Sequence, residues 1–505
     1  MKPQVLIAGA GPTGLTLGID LARRGVAVRI VDKAEKFFDG SRGDGIQPRT
    51  LEVFGDLGVL DAVLDAGTPQ ALMRVYLGGE FVMHRRMTEW REPTPDVPHP
   101  NPWVLGQSDT ERILRDRLAE FGVRVELSTA LVDFNADEQG VTATLSHVGT
   151  LETVRADYLV GADGGRSTVR KALGIAFEGT TDESIRMLLG DVRVDSLDHT
   201  HGYWFAEPDA PMDGFAMTPL PHDRKFQFMA PLAEDSGTDL ASLQAIVNTR
   251  SQRTDIVLSD LTWSTVWRPN IRLAEHFRAG RVFLAGDAAH VHPPTGGQGM
   301  NTGVQDAYNL GWKLEAALRN PNPDTESLLD TYETERRTVA ARVLGLSSDL
   351  LDKTVQGDAD AMNREGTQQL DISYRNLLLH NPSDPSHDGR LHAGDRAPDA
   401  PLSTADGATT LFDLFRGPHA TLLVFGDAPT PEITGPSVST RIVSVLIPDN
   451  HSTAPISGTL DHDIVIDIEG HAFHAYGVTD SGHALVRPDG YVGALAVDIA
   501  THPSR

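Results

Sequence analysis

Cysteine is absent from this 505-residue chain, which also lacks long apolar runs and an excess of positive charge. Without cysteine the chain forms no disulfide, no thiolate metal site and no thiol nucleophile. No run approaches the roughly 20 apolar residues that span a bilayer, and Gly11-Pro12, Asp20 and Arg23-Arg24 break the pattern of a secretion signal. The net charge of -26 argues against nucleic acid and membrane as partners. We therefore expect a cytoplasmic protein with two or three domains.

The segment from Arg281 to Asn301 is the most informative stretch of the chain. Residues 282–285, Val-Phe-Leu-Ala, are typical of a buried strand, and Gly286 and Asp287 follow at its carboxyl end, where open α/β sheets bind ligands. A glycine-rich turn from Gly296 then opens a long helix. The N–H groups and partial positive charge of a helix start suit an anionic group. A tight loop without a ligand is the alternative for this stretch taken alone.

The start of the chain has the pattern of a dinucleotide-binding fold. A strand at Gln4 to Ala8 leads into Gly9-Ala10-Gly11-Pro12-Thr13-Gly14 and a helix, and a second strand from Val28 to Val31 stops at Asp32. The first glycine makes the tight turn, the second lets a pyrophosphate reach the backbone, and the third lets helix and strand pack. We expect Asp32 to accept hydrogen bonds from the adenosine ribose hydroxyls.

A further apolar strand ends in a second acidic glycine turn. Tyr158 to Gly161 precedes Ala162-Asp163-Gly164-Gly165 and a short helix, so Asp163 and Asp287 are two carboxylates at strand ends. Either side chain could instead cap the following helix without touching a ligand. No second G-x-G-x-x-G follows a strand, so we expect no separate NAD(P)H-binding domain. A disulfide reductase is excluded, because it needs a redox cysteine pair.

Three stretches together resemble the group A flavoprotein monooxygenases, the aromatic hydroxylases related to p-hydroxybenzoate and phenol hydroxylase. They are GAGPTG at 9–14, GADGGRSTVR at 161–170 and LAGDAAHVHPPTGGQGMNTGVQDAYNLGWKL at 284–314. The resemblance implies FAD, with NADPH or NADH and O2 as co-substrates, and hydroxylation of an aromatic or polycyclic phenolic, polyketide-like substrate through a flavin C4a-hydroperoxide. A Baeyer–Villiger or epoxidising reaction, or a flavin-binding sensor without turnover, stays open as the alternative.

The resemblance also implies the cofactor site. Asp287 would hold a ribityl hydroxyl, the helix start would face the pyrimidine end of the flavin, and the backbone of Pro293 would line the flavin and oxygen site. The predicted FAD contacts are Gly9, Gly11, Pro12, Thr13, Gly14, Asp32, Lys33, Arg42, Gln107, Asp163, Gly286, Asp287, Pro293, Gly299, Met300 and Asn301. The family more often has glutamate and arginine where this chain has Asp32 and Lys33. No general base is assigned.

The predicted fold is α/β: an FAD-binding Rossmann-like domain of the GR2 type, an inserted antiparallel β-sheet substrate domain, and a C-terminal thioredoxin-like domain. The predicted boundaries are 1–71, 104–176 and 268–355 for the FAD-binding domain, 72–103 and 177–267 for the substrate domain, 356–400 for a helical segment and linker, and 401–505 for the thioredoxin-like domain. Lacking cysteine, this last domain has no dithiol chemistry. We expect it to be structural or to form a homo-oligomer contact.

Alternating apolar stretches in the inserted region supply the candidates for a substrate pocket. The predicted substrate contacts are Tyr203, Phe215, Met217, Phe226 and Phe228, and Trp204, Phe205 and Met229 are further candidates. Ordinary sheet core is the alternative for each of them. Tyr203, His222 and Arg224 are candidates for polarising a phenol, and nothing in the sequence selects one.

Two local expectations complete the sequence-based predictions. Ser108 or Asp109 is expected to cap the helix that runs through Leu118. His290 and His292 form an H-x-H pair, but only Asp287 lies nearby at a metal-ligand spacing. We therefore expect no metal site, and expect both histidines to line or support the flavin loop.

Overall fold

The computed structural model describes residues 2–221, 224–233, 237–293, 296–356, 366–375, 390–431, 438–448 and 463–497. Its helices are α1 Pro12–Arg23, α2 Pro48–Leu57, α3 Leu60–Ala66, α4 Gln107–Glu120, α5 Thr168–Ala172, α6 Leu240–Ser251, α7 Gly299–Arg319, α8 Pro323–Gln356, α9 Leu411–Phe415 and α10 His471–Ala475, with a 3-10 turn at Gly286–Ala288. None of these helices is long and apolar enough to cross a membrane.

The strands fall into three large sheets and three small ones within the described ranges. They are β1 Val5–Ala8, β2 Val28–Val31, β3 Gly45–Ile46, β4 Thr68–Pro69, β5 Leu72–Leu77, β6 Glu80–Arg85, β7 Trp103–Val104, β8 Val125–Glu126, β9 Thr129–Asp137, β10 Gly140–His147, β11 Thr150–Ala156, β12 Tyr158–Gly161, β13 Phe177–Thr181, β14 Met187–Val194, β15 His201–Glu207, β16 Ala210–Pro219, β17 Lys225–Pro231, β18 Leu258–Trp267, β19 Asn270–Ala274, β20 Arg278–Ala279, β21 Val282–Leu284, β22 His290–Val291, β23 Pro401–Thr404, β24 Gly407–Thr410, β25 Ala420–Phe425, β26 Thr440–Leu446, β27 Asp463–Ile466, β28 Gly482–Val486 and β29 Val492–Val497.

The N-terminal sheet brings the three glycine-rich turns to one edge. Its strand order is β20-β21-β12-β1-β2-β8, and every pair except β20–β21 is parallel. In register, Ala8 lies beside Gly161, and Gly161 lies beside Leu284. Because carboxyl ends of parallel strands share an edge, the turns after β1, β12 and β21 meet there, together with Asp32 at the end of β2.

Glycines are needed where α1 leaves β1. Gly9 has a φ of +108°, a backbone conformation that side chains disfavour. A Cβ on Gly14 would lie 2.1 Å from the Gly9 carbonyl oxygen, so only glycine lets α1 start this close to the strand. Both observations confirm the predicted turn and packing roles of these two residues.

The sheet of the inserted region, hereafter the seven-stranded sheet, has the order β18-β14-β17-β16-β15-β5-β6. It is antiparallel as predicted, apart from one pair, because β5 runs parallel to β15. Its first face packs on α6, where Leu243 and Val247 are fully buried. Tyr203, Phe215, Met217, Phe226 and Phe228 lie on this same face and are at most 1 % exposed, so they form the core between sheet and helix.

The predicted cap of α4 is wrong. The helix begins at Gln107, and its N-cap is Gly106, which has no side-chain cap hydrogen bond. The extended backbone of Gly106, with φ −57° and ψ 146°, starts the helix ahead of Ser108. Asp109 therefore lies inside the first turn, where its charge favours the positive end of the helix without capping it.

The C-terminal sheet has the order β24-β23-β27-β26-β25-β28-β29, and a hairpin turn at Arg487-Pro488-Asp489-Gly490 joins its last two strands. Of the predicted linker at 356–400, residues 366–375 and 390–400 are described beyond the end of α8. The first of these segments packs on α8, because Ile372 and Tyr374 are buried against Val339 and Val343. The remainder of the predicted linker lies outside the described residues.

Candidate functional site

A cavity of about 1730 Å³ lies between the shared edge of the N-terminal sheet and the face of the seven-stranded sheet that is opposite α6. Most of the predicted FAD contacts line it, namely Gly9, Gly11, Pro12, Thr13, Asp32, Lys33, Arg42, Gln107, Asp163, Asp287, Pro293, Gly299 and Met300. The strand register brings these residues together, although their turns lie far apart in the sequence. Among the phenol-polarising candidates, Tyr203 is buried in the sheet core and His222 lies outside the described residues.

Three predicted FAD contacts do not line the cavity but build its wall. Gly14 allows the close packing of α1. Gly286 has a φ of +59° and donates its N–H to Asp306 Oδ2 at 3.0 Å. Asn301 is fully buried: its Oδ1 accepts the Gln47 N–H at 2.8 Å, and its Nδ2 donates to the carbonyl oxygens of Gly45 at 2.8 Å and Gly297 at 2.7 Å. Its side chain therefore ties β3 to the start of α7.

Asp32 and Gly11 line the cavity at the first glycine-rich turn, which is its nucleotide end. Asp32 accepts the N–H groups of Ala10 at 2.8 Å and Ala34 at 2.9 Å, which fixes its carboxylate between two turns. A carboxylate has about four acceptor positions, so lone pairs remain for hydroxyl donors. Apart from its two chain neighbours, no atom of the described residues lies within 4 Å of where a Cβ of Gly11 would stand, and this backbone is therefore open to a ligand.

Asp163 accepts hydrogen bonds from the start of the following helix, one of the two roles that the sequence left open, and it also lines the cavity. Its Oδ2 accepts the N–H of Thr168 at 2.7 Å and of Val169 at 3.3 Å, at the start of α5. Its Oδ1 is buried and has no hydrogen-bond partner within the described residues, although the residue lines the cavity. Arg170 then joins two turns, because it donates to the carbonyl oxygens of Gly165 and Ala288, each at 2.8 Å.

Asp287 lines the cavity from the 3-10 turn that follows β21. Its side chain is exposed to the open cavity. Desolvation by the surrounding protein raises the pKa of its carboxyl, while the positive charges of His290 and Arg42 act in the opposite direction. Arg42 lies on the same cavity with its guanidinium 4.1 Å from the centre of the Phe38 ring. A neutral hydroxyl group of a ligand can donate a hydrogen bond to this carboxylate without bringing a further charge into the site.

The two histidines have different surroundings. His290 is 1 % exposed, and its Nε2 lies 2.6 Å from Asp306 Oδ2, so this buried contact holds the loop that contains His290 against α7. His292 lines the cavity with Nδ1 3.1 Å from the Pro293 carbonyl oxygen, which assigns the proton to Nδ1 and leaves the buried Nε2 as an acceptor. Burial and the charge of His290 lower the pKa of His292 to about 4. No three metal-ligating side chains converge within the described ranges.

The prediction that Tyr203, Phe215, Met217, Phe226 and Phe228 contact substrate is wrong. Successive side chains of a strand point to opposite faces of the sheet, and these five face α6. The cavity is lined by the alternate positions of the same strands, including Gly202, Trp204, Ala216, Gln227 and Met229. Of the further candidates, Trp204 and Met229 line the cavity, and Phe205 belongs to the core.

Asp44 is a cavity residue that sequence reasoning missed. It precedes Gly45, which Asn301 ties to the start of α7. On its other side it lies close enough to Asp191 of β14 for their charges to interact, and burial together with this charge raises the pKa of Asp44 to about 6. The signal in the sequence is the acid itself, which stands in a polar, glycine-rich segment, residues 41–49, after the second strand of the nucleotide fold.

Comparison with protein families decides the identity. A family model described as an FAD binding domain matches residues 2–347, and one described as the C-terminal domain of aromatic-ring hydroxylases matches residues 391–503. The chain belongs to the FAD-dependent aromatic-ring hydroxylases. The enzyme is accordingly a flavin-dependent monooxygenase with FAD as its cofactor and NAD(P)H as its reductant.

Relatives cover nearly the whole enzyme. It is 44% identical over 500 residues to a flavin-dependent monooxygenase of Mycobacteroides abscessus, across 97% of this chain and 96% of the relative. It is 33% identical to the 6-methylpretetramide 4-monooxygenase of Streptomyces rimosus, across 97% and 90% of the two chains. Among solved structures, aklavinone-11 hydroxylase with FAD and aklavinone superposes with a TM-score of 0.78 at 26% identity, covering 99% of the enzyme and 96% of that chain.

The polar atoms of the enzyme's cavity fit FAD. Asp163 Oδ1, Gln47 Oε1 and His292 Nε2 are buried acceptors without a partner in the described part of the chain, and all three residues line the cavity. Buried polar atoms in native proteins are nearly always paired. FAD carries hydroxyl and N–H donors along its length, which suit such acceptors, and the open backbone at Gly11 suits its pyrophosphate.

Proposed function

We propose that the enzyme hydroxylates a flat, multi-ring phenolic substrate, and that Asp44 takes the proton of the substrate hydroxyl next to the reacting ring. The observation that carries this proposal is the position of Asp44, a cavity carboxylate between the segment tied to α7 and the β14 face of the seven-stranded sheet. A substrate lying against that face would bring its hydroxyl to this carboxylate while the ring stays near the flavin.

The cavity wall supports a large aromatic substrate. The side that faces away from the nucleotide turns is lined by Met187, Leu189, Trp204, Met229 and Trp267. Indole rings offer flat surfaces for stacking, and methionine side chains adapt to irregular outlines. The relatives named for 6-methylpretetramide and aklavinone support a polycyclic phenolic substrate of the polyketide kind.

Proton transfer by Asp44 would make the substrate ring electron-rich. FAD, when bound and reduced by NAD(P)H, supplies the oxygen atom from O2. The Asp44 carboxylate accepts the proton from the substrate oxygen, so the oxygen lone pair can push electron density into the ring as the new C–O bond forms. The ionised state of Asp44 is the active one, and a base whose pKa lies near 6 is suited to neutral pH.

The predicted FAD contacts that line the cavity form the cofactor part of this proposal, with Pro293 beside the reacting centre. We extend the proposal to the predicted domains: FAD binding by 1–71, 104–176 and 268–355, substrate binding by 72–103 and 177–267, the linking segment 356–400, and a supporting domain at 401–505. A supply of NAD(P)H favours a cytoplasmic location. Homo-oligomer formation is not needed by the site described above.

The first test follows oxidation of NADPH and NADH in air against a panel of phenols and polycyclic phenols, with mass analysis of the product. We expect one class of polycyclic phenol to accelerate NAD(P)H oxidation and to gain a single oxygen. A ring-expanded ester or an epoxide would contradict hydroxylation in favour of the alternative reactions. A yellow protein that consumes no reductant faster with any of these compounds would contradict the proposed substrate class.

The role of Asp44 is tested with Asp44→Asn and a matched control, Asp213→Asn. Asp213 also lines the cavity, but it is 60% exposed and pairs with Arg250 at 3.1 Å. We expect Asp44→Asn to lower kcat by about 10²- to 10⁴-fold, the usual contribution of a positioned proton acceptor. Asp213→Asn should change kcat by less than about threefold. Equal kcat values for the two variants would rule out Asp44 as the proton acceptor.

A further inference from the structure

Gln47 carries a buried acceptor for which the described residues offer no partner. The residue is 5% exposed and lines the cavity, yet its Oε1 accepts no hydrogen bond there. A buried acceptor left unpaired is costly, and native proteins keep few of them. Its place on the cavity wall indicates that a ligand supplies the missing donor.

The orientation of this side chain is fixed by its neighbours. Gln47 Nε2 donates to the Gly296 carbonyl oxygen at 3.2 Å, and since a carbonyl only accepts, the opposite amide orientation would bring two acceptors together. The Gln47 N–H donates to Asn301 Oδ1 at 2.8 Å, and the Gln47 carbonyl oxygen accepts the Thr50 N–H at 2.9 Å. Gln47 is the N-cap of α2, but its side chain makes no cap hydrogen bond and is directed to the glycine turn.

Backbone hydrogen-bond donors lie on the same cavity wall as this acceptor. The first intrahelical bond of α7 runs from the Thr302 N–H to the Gln298 carbonyl, so the amides of Gly299, Met300 and Asn301 precede it. A Cβ on Gly297 would stand 3.5 Å from Gln47 Nε2, which places the glutamine amide against the turn that leads into the helix. The wall thus presents backbone donors with one side-chain acceptor next to them.

This pattern is complementary to one edge of the flavin ring. The oxidised isoalloxazine has a single N–H donor, N3–H, and a carbonyl oxygen on each side of it. The N–H groups and positive end of α7 suit a carbonyl oxygen, and the Gln47 amide oxygen suits the adjacent N–H. We propose that Gln47 Oε1 accepts a hydrogen bond from flavin N3–H and so positions the pyrimidine edge of the ring at the start of α7.

The inference depends on FAD binding by the family and not on the identity of the substrate. It is tested by reconstituting the apoenzyme with FAD or with N3-methyl-FAD, which lacks the N3 proton, and measuring each Kd by flavin fluorescence. The wild-type enzyme should bind FAD at least about tenfold more tightly than N3-methyl-FAD. In Gln47→Ala the preference should fall to less than about twofold, because the acceptor is gone and space for the methyl group is created.

Gln107→Ala is the matched control, since Gln107 is a second cavity-lining glutamine, with Nε2 donating to Glu111 Oε1 at 2.7 Å. It should keep the wild-type preference between the two cofactors even if both Kd values change. Equal binding of FAD and N3-methyl-FAD by the wild-type enzyme would overturn the inference and leave a ribityl or substrate hydroxyl as the donor. An undiminished preference in Gln47→Ala would overturn it as well.

A second variant keeps the acceptor and changes its charge. Gln47→Glu retains an oxygen at the same place and should therefore preserve the preference for FAD over N3-methyl-FAD. Its added negative charge should lower the midpoint potential of the bound flavin, since reduction adds negative charge to the ring. A midpoint potential equal to that of the wild type in Gln47→Glu would contradict contact between residue 47 and the ring.

Discussion

Arg487 in the C-terminal hairpin and Glu335 in α8 form a buried two-point ion pair, with Nη1–Oε1 at 2.7 Å and Nη2–Oε2 at 2.9 Å. Glu335 also accepts from Lys313 of α7 at 2.8 Å, and Arg487 pairs with Asp489 at 2.6 Å. Burial alone would raise the pKa of Glu335, but the charges of Arg487 and Lys313 hold it well below its ordinary value. The hairpin is therefore anchored to α7, the helix that begins at the flavin site.

Replacing Arg487 with methionine should destabilise the enzyme by about 3–5 kcal/mol, because an ion pair that loses one partner leaves a charge in a buried place. Urea unfolding measures the change. Arg441→Met serves as the control, since Arg441 and its partner Asp463 are 32% and 49% exposed and an exposed pair contributes less than about 1 kcal/mol. Equal losses in the two variants would contradict a structural role for the hairpin contact.

The pH dependence of kcat should show a limb near pH 6. Asp44 has a raised pKa of about 6, so below that pH it holds a proton and cannot accept one from the substrate, and kcat rises as the pH rises through 6. In Asp44→Asn this limb should be absent. Steady-state rates between pH 5 and 9 with saturating substrate check the prediction, and a limb that persists in the variant assigns it to another group.

Asp44 should favour activity at the expense of stability. The folded-state pKa of Asp44 lies above its unfolded value of 3.8, so its contribution to stability is present below pH 3.8 and is lost as the pH rises through about 6. Asp44→Asn removes this loss. The variant should be more stable than the wild type by about 1–3 kcal/mol at pH 8. Urea unfolding at pH 8 and pH 5 should show the gain shrinking at the lower pH.

Phe228 and Met229 are neighbours in β17, and substitutions at the two positions should affect different properties, stability at the first and substrate binding at the second. Phe228 is fully buried against α6, and Phe228→Ala should cost about 3–5 kcal/mol of stability without a change in KM for the folded enzyme. Met229 faces the cavity, and Met229→Ala should raise KM roughly fivefold, for the loss of about 1 kcal/mol of apolar contact, with a smaller stability loss. A reversed assignment of these effects would place the substrate on the other face of the sheet.

Alanine substitutions at two glycines of the first turn should distinguish FAD binding from the stability of the apoenzyme. An added methyl at Gly11 meets no atom within 4 Å in the described part of the chain beyond its two neighbours, so Gly11→Ala should leave the apoenzyme stable but weaken FAD binding at least about tenfold. At Gly14 the methyl would lie 2.1 Å from the Gly9 carbonyl oxygen, and Gly14→Ala should destabilise the apoenzyme by roughly 1–3 kcal/mol. Urea unfolding of the apoenzyme and a fluorescence titration with FAD measure both effects.

Local sequence patterns determined the nucleotide fold and identified many of the residues that line its cavity. Apolar runs ending in glycine-rich turns identify strand ends, and parallel strands bring those ends to one edge whatever the length of chain between them. Gly9, Gly11, Asp32, Asp163 and Asp287 could therefore be predicted. The hairpin at 487–490 is also encoded locally, because Pro488, Asp489 and Gly490 are residues that favour turns.

Only the tertiary structure decided which face of the substrate sheet lines the cavity. Tyr203, Trp204 and Phe205 are consecutive aromatic residues, so alternation along the strand gives no preference for either face. The choice is made by α6, whose packing buries one set and leaves the other to the cavity. The sequence could only name both sets.

Long-range contacts account for the remaining differences. Asp44 gains its raised pKa from burial and from Asp191 on a distant strand, and the acceptor of Gln47 is defined by Gly296 and Asn301. Arg487 meets Glu335 across 152 residues of sequence. The sequence by itself determined the strand and turn chemistry, since these depend on neighbours along the chain. The tertiary structure decided which polar groups are buried and paired, because burial and pairing depend on residues that only folding brings together.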